Sequence, residues 1–350
     1  MSKNIIKMDE NKEVFMKNIL LTICMSGTVL LTGCAGNQIK DVNSYSKATL
    51  QPTDVMPSKD EMSGDKTKVV IFNPIDSDIE LAANAKAGHS IATGLEKYIA
   101  VTGAEIVDRN IAKKLKEEIQ LAEMKGGSTY QGPNIADYAI TGTVSSANVG
   151  SRFTETKSWQ DDKGKWHTTP ASCTYTAKVS ANIRIYKLPG LKFSKTITLD
   201  DSVKTSEESR NSRCPFSINA QESLVRQAAT RSVKSARTEF QNHFAAKAYV
   251  LERRTKEDMT IFKISHGKDL GFVEDSDINI YHLEVSKNPL TDNVTTEEYS
   301  VAKGTISNQV GQHHAWVIVE DKERANRIKL GDYVKVLYEK GMFESFAGMF

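Results

Sequence analysis

The stretch from Thr174 to Tyr186 constrains this chain more than any other. Tyr175, Ala177, Val179, Ala181, Ile183 and Ile185 alternate without a break with Thr174, Thr176, Lys178, Ser180, Asn182 and Arg184. Successive side chains on a strand point to opposite faces, so this is a long strand with one buried face and one wet face. Leu188-Pro189-Gly190 supplies a turn, and Leu191, Phe193, Ile197 and Leu199 alternate on the return, which makes a hairpin. Pairing Lys187 with Leu191 predicts Cys173 opposite Thr205, with Cys214 further along a loop that has to fold back.

The flanks fix the class. Upstream, Lys68 to Phe72, Ala104 to Val107 and Tyr138 to Val144 read as buried strands. Between them lie two helical stripes, Ala83, Ala87, Ile91, Leu95, Tyr98 and Ile99, then Ile111, Leu115, Ile119 and Ala122. The second is expected to end at Gly126-Gly127. This β-α-β-α-β order predicts a layered α/β domain over residues 67–250. Downstream, Asn219-Ala220-Gln221-Glu222 has the form of a capping box. It opens a long helix with Val225, Ala229, Val233, Ala236, Phe240, Phe244 and Ala248 along one side. Past Arg254 come short strands at Thr260–Ser265, Asp277–Leu283, Glu298–Val301, Trp316–Glu320 and Tyr333–Tyr338, separated by turns such as Lys287-Asn288-Pro289. They predict a small antiparallel, barrel-like domain over residues 255–350. The expected class is α+β: a layered α/β domain with extended hairpins and a long helix, then a small β-barrel.

The start of the chain carries an address. Met16-Lys17-Asn18 precedes an apolar run of 13 residues, Ile19 to Leu31, closed by Leu31-Thr32-Gly33-Cys34. A membrane span takes roughly 20 apolar residues, and a short run with these flanks is a signal segment. The closing four residues match the lipobox of bacterial lipoproteins. That pattern implies a diacylglyceryl group on the Cys34 thiol, cleavage between Gly33 and Cys34, and acylation of the new amino terminus. Several acyl chains hold a protein at a bilayer far more firmly than one. Ala35 and Gly36 follow, with no aspartate to retain the protein at the inner membrane, so the expected location is the outer membrane, facing the periplasm. Residues 1–15 read as an upstream extension, with Met16 the expected start and a long n-region from Met1 the alternative; 1–33 is the signal and 34–66 the lipidated cysteine with a flexible polar tether.

Of the four cysteines, Cys24 leaves with the signal and Cys34 carries lipid. Cys173 and Cys214 remain in an oxidising compartment, where a disulfide is expected; two separate buried thiols are the alternative. A net charge of +2 argues against nucleic-acid binding. Gly126-Gly127 and Gly88 lack the lysine and hydroxyl of a phosphate loop. There is no G-x-S-x-G, and no cysteine nucleophile survives processing. His313-His314 point to opposite faces of a strand and have no further Cys or His nearby. No enzyme, cofactor or metal is therefore expected. Asp200-Asp201 and Glu207-Glu208 read as loop charges. Trp159 to His167, an Asp-Lys-Gly turn flanked by tryptophans, is the candidate partner-contact hairpin.

Residues 67–250 resemble the curli-secretion (CsgG-like) family of outer-membrane lipoproteins. The resemblance rests on the lipobox, Val69-Val70-Ile71-Phe72, Val107-Asp108-Arg109 before a helix with Glu117-Glu118, Ile140-Thr141-Gly142-Thr143-Val144, the hairpins and the long helix. The last domain is similar to the end domain of FlgT-type flagellar-ring proteins, through Lys268-Asp269-Leu270-Gly271-Phe272, Ala302-Lys303-Gly304-Thr305-Ile306-Ser307 and Ile328-Lys329-Leu330-Gly331-Asp332-Tyr333-Val334. The first resemblance implies an oligomeric pore with two hairpins per subunit in the membrane. This sequence departs from it there. Glu155 and Lys157 share a face with Phe153 and Trp159, and the second candidate region holds Asp200, Asp201, Lys204, Glu207, Glu208 and Arg210. A mid-bilayer Lys or Arg on a lipid-facing row costs about 2–4 kcal/mol. The expected role is a structural or assembly subunit of an envelope machine, homo-oligomeric, with an envelope protein partner. A curli-type channel and an activator of a cell-wall synthase are the alternatives.

Overall fold

Residues 38–59, 61–125, 135–287 and 289–340 are described by a computed structural model, with backbone alone for 122–125. The signal, Gly33, Cys34, Gly126-Gly127 and Asn288 lie outside the described residues.

In chain order, the first strand is β1 (Ser46–Ala48), followed by β2 (Lys68–Ile71), a short helix α1 (Glu80–Asn84), α2 (Ala87–Ala100), β3 (Glu105–Val107) and α3 (Lys113–Lys125). Then come β4 (Tyr138–Thr154), β5 (Lys157–Gln160), β6 (Trp166–Thr169), β7 (Ser172–Lys187), β8 (Lys192–Glu208) and α4 (Ile218–Phe244). The last part holds β9 (Lys247–Lys256), β10 (Met259–Ile264), β11 (Asp277–Lys287), β12 (Val294–Val310), β13 (Ala315–Val319), a short α5 (Lys322–Ala325) and β14 (Tyr333–Val336).

Five strands form one sheet in the order β3-β2-β4-β7-β8, parallel at β3-β2-β4 and antiparallel across β4-β7-β8. The alternating row of β7 is buried from Cys173 to Ile185, as its period demands. Strand β2 serves both faces: Val69 and Ile71 join a core with α2 and α4, while Val70 and Phe72 join Leu115 and Ile119 of α3. Helices α2 and α4 approach closely because small residues line the seam. A Cβ at Gly94 would sit 3.2 Å from Val233 Cγ1. Arg109, just after β3, bonds Asn73 and Glu96, tying the loop after β2 to α2.

Details of this part differ from what the sequence predicts. Helix α4 is capped by Ser217, whose hydroxyl accepts from Ala220 N–H at 3.3 Å, not by Asn219. It ends at Phe244, so Ala248 lies on a strand: β9 starts at Lys247 and runs across the expected boundary at 250–255. In the β7–β8 hairpin Lys187 pairs with Lys192, and the register shifts once more between Ile185 and Tyr186, so Cys173 faces Glu207 instead of Thr205.

The C-terminal strands close into a barrel, β9-β10-β13-β12-β11-β14, with β14 returning to β9. Ala248, Val250, Phe262, Ile264, Ile278, Ile280, Ala302, Ile306, Val317 and Val334 fill it. Strand β12 is far longer than the four residues expected, because its polar outer half pairs with β11 beyond the barrel wall.

The expected tether is the largest correction. Residues 39–53 are folded onto the barrel. Ile39 is fully buried among Tyr45, Ile261, Trp316 and Ile318, with its N–H donating to Asn308 Oδ1 at 2.8 Å. Strand β1 pairs with Arg253–Thr255 of β9, the part of that strand that short β14 leaves open. Pro52 bridges Leu330, and Thr53 N–H donates to Leu330 O at 2.9 Å. Under this strap, buried Asp332 accepts from His282 Nδ1 at 2.7 Å and from Lys329 N–H at 2.7 Å, and Thr53 Oγ1 lies 3.1 Å from the same histidine nitrogen. Further along, Gly64, at φ +78°, lies against the His266 ring. The composition is polar and aperiodic because only alternate short stretches of the strap touch the barrel.

Burial pushes the Asp332 carboxyl upward, against the bonds from Lys329 and His282. Asp332→Ala strands two buried donors and is expected to cost about 3 kcal/mol, whereas Asp332→Asn, which keeps an acceptor, is expected to cost less than half of that. Urea unfolding of the two variants checks this; equal losses would mean that the hydrogen bonds are not what Asp332 contributes.

Candidate interaction surface

The far end of the five-stranded sheet is a blade, built on β4, β7 and β8. Strand β7 packs one face against α4: Phe216, just before the helix, stacks on Tyr175 at 3.9 Å, and at the other end of the helix Phe244 meets Tyr138 of β4 edge-on. Cys173 and Cys214 form a disulfide across a separation of 41 residues. It fastens the loop before α4 to the outer end of β7. Tyr175 Oη donates within the same joint, 2.9 Å from Glu207 Oε1 and 3.0 Å from Pro215 O. Glu207 is therefore a structural partner of the joint and not a bare loop charge. Asp200 and Asp201 are also engaged, with Ser180 and Lys178, and with Ser235 and Arg231.

Beyond this joint the blade continues as the β5–β6 hairpin. Asp161 makes its turn: Oδ1 accepts from Lys163 and Lys165 N–H at 3.0 and 2.9 Å, and Oδ2 bonds His167 Nε2 at 2.8 Å. Gly164 sits at φ +77°, where a side chain would strain the turn. The register sets where the two tryptophans point. Trp159 pairs with His167 and stacks on it at 4.4 Å, while Trp166 pairs with Gln160. Pairs one step apart face opposite sides, so the hairpin presents one tryptophan on each face. Trp159 and Trp166 are 52% and 67% exposed, which is more than a packing role needs. This is a two-sided aromatic fin, suited to sitting between two surfaces.

The blade face away from α4 is polar, with exposed Lys178, Asn182 and Arg184 on β7 and a Thr198–Asn182 bond across to β8. It carries no apolar row. His313 Nδ1 bonds Asp269 Oδ2 at 3.0 Å, and His314 turns to Gly311, so the pair does not converge. Among the described residues, no three His, Cys, Asp or Glu gather as a metal site would require, and no helix is long and apolar enough to cross a membrane. Nothing in the sequence signals the strap contacts of His282, Asp332 and His266, because they join residues far apart in the chain.

No family profile matches the chain, and no curated protein matches it. Among solved structures, a minor lipoprotein from Acinetobacter baumannii is 11% identical at a TM-score of 0.25, over 55% of this chain and 98% of its own. The PelC dodecamer from Paraburkholderia phytofirmans is 10% identical at 0.20, over 53% and 93%. Lipoprotein GNA1162 from Neisseria meningitidis is 14% identical at 0.19, over 48% and 99%. Likenesses this slight say nothing of function.

The His167 bond first, then those from Lys165 and Lys163 N–H, holds the Asp161 carboxyl below its usual range. A depressed folded pKa gives stability that is present above the unfolded value and lost as pH falls through the folded one. The hairpin should therefore hold at neutral pH and loosen at pH well below about 3.9. Trp159 fluorescence between pH 5 and 2 reads this, and Asp161→Ala should remove the transition. Separately, Cys214→Ser should lower stability by about 3–4 kcal/mol in the chain-entropy picture.

Proposed function

We propose that this chain is an outer-membrane lipoprotein, acylated at Cys34 and facing the periplasm, which works without enzymatic chemistry as a self-associating structural subunit of an envelope machine. The observation that carries the reading is the strap behind the lipobox. Ile39 is fully buried in the barrel wall. It lies five positions after Cys34, a reach of at most about 18 Å. The barrel is then held at the membrane surface. Reach into the periplasm comes from the body instead: β4 leaves the barrel junction at Tyr138 and runs 17 residues, roughly 55 Å. A fixed base with a braced, disulfide-locked arm and a two-sided aromatic tip suits a scaffold that engages neighbouring copies or an envelope protein. The polar outer face of the blade speaks against the channel reading, since a barrel strand in lipid needs an apolar row.

Palmitate labelling and light scattering test this together. The wild-type chain should incorporate label and pellet with outer membranes, and Cys34→Ser should lose both. Both should form the same large assembly. An assembly that forms in detergent only with the lipidated chain would favour the channel. Monomers in both cases would sink the scaffold reading and favour a tethered activator of a partner enzyme.

A further inference from the structure

A cleft of about 250 Å³ opens where the barrel meets the five-stranded sheet, lined by Tyr138, His243, Lys247, Tyr249 and Lys335 with Glu61 of the strap. Two of its lining lysines face each other. Lys247 and Lys335 are direct cross-strand partners on β9 and β14. Like charges facing each other in a ladder destabilise it. Glu61 acts on Lys247 and Glu298 on Lys335 through space, and both ammonium groups stand over the Tyr333 ring, at 4.3 and 5.7 Å. Glu61, which lines the same cleft, turns Oε2 to its own loop, accepting from Ser58 N–H at 2.8 Å and from the Ser58 hydroxyl at 2.9 Å.

The third nitrogen is His243 Nε2. It is buried and has no hydrogen-bond partner among the described residues, although its ring is fixed edge-on between Tyr138 and Phe244. A buried polar atom without a partner costs about 1–3 kcal/mol. Burial first, then Lys195 and Lys335, pushes the imidazole downward, so it stays neutral with one N–H to give. Burial, then Lys247, likewise pushes the Lys335 ammonium downward, against the pull of Glu298. An anion between these groups would relieve all three penalties at once.

We infer that this cleft is a binding site for a phosphate-type oxyanion, held by Lys247 and Lys335 as paired point charges and by His243 as a neutral donor. Two lysines match the double charge of a phosphate monoester, and lysine is an established phosphate partner. The same chemistry arises in free phosphate and in the monoester headgroup of phosphatidic acid. The site stands whether or not the chain is a scaffold.

The test uses the full-length lipidated protein in neutral detergent. Inorganic phosphate is titrated calorimetrically at constant ionic strength against wild type, Lys247→Met, Lys335→Met and the double variant. Saturable binding is expected in wild type, about tenfold weaker in each single variant and at least a hundredfold weaker in the double one. Removing the facing charges should leave the phosphate-free melting temperature at or above the wild-type value, which separates loss of the site from loss of the fold. Vesicles of phosphatidic acid in phosphatidylcholine are then added to the Cys34→Ser protein. Binding that phosphate displaces assigns the site to a headgroup, and no binding assigns it to a free phosphate compound. Equal responses of wild type and double variant, or no saturable heat in wild type, would overturn the proposal.

Discussion

Strand β9 must satisfy its backbone on both sides, and the rest of the molecule is arranged around how it does so. On one side it has β10 against Val250–Lys256. On the other it has two partners in succession: β14 against Lys247–Tyr249 and β1 against Arg253–Thr255. Without β14 the barrel would not close; without β1 the outer half of β9 would be a bare edge, a template for pairing with other chains. Because β1 lies ahead of the α/β part in sequence, the barrel is completed by segments from both sides of that part, and the five-stranded sheet is an insertion between them. Only two residues, Ala245 and Ala246, separate α4 from β9, so the blade and the barrel share one continuous element pair.

The blade depends on small side chains. Alanines on β7 and on α4, with Gly94 on α2, let three layers approach without large groups at the seam. Such close packing leaves little room for a helix to slide. The stacked Tyr175–Phe216 pair and the disulfide then fix the far end, where apolar burial thins out and the β8 residues past Val203 are exposed. The outer blade is thus held by covalent and aromatic contacts where a core is no longer available.

Period and turn chemistry make much of this legible in advance. The alternation in β7 places its buried row, the β-α-β-α-β order places the elements before it, and the short strands past Arg254 announce a barrel. What stays hidden has physical reasons. A strap that touches its support at Ile39, Tyr45, Pro52 and Thr53 has no period to read. The bulge at Ile185/Tyr186 and the extra turn residue each move the register by one, and neither shows in hydropathy. The end of α4 is masked because Ala248 continues the helical spacing of Phe240 and Phe244, although it belongs to a strand. The facing of Lys247 by Lys335 and the orphaned His243 are juxtapositions across the fold, which no local pattern contains.

The strap also changes what an anchor at Cys34 would mean mechanically. A disordered leash would let the body tumble, and its contribution would be an effective concentration near the membrane. A strap hydrogen-bonded to β9, locked at Asp332 and seated at Ile39 transmits force and orientation as well. The path from strap to blade tip is then made of paired strands, a closed barrel and a helix-backed sheet, with no free linker among the described residues. A subunit built this way sets the angle at which its tip meets a neighbour. That matters for a closed ring, where each copy must repeat the same rotation, and matters far less for a protein that only has to be kept near a membrane.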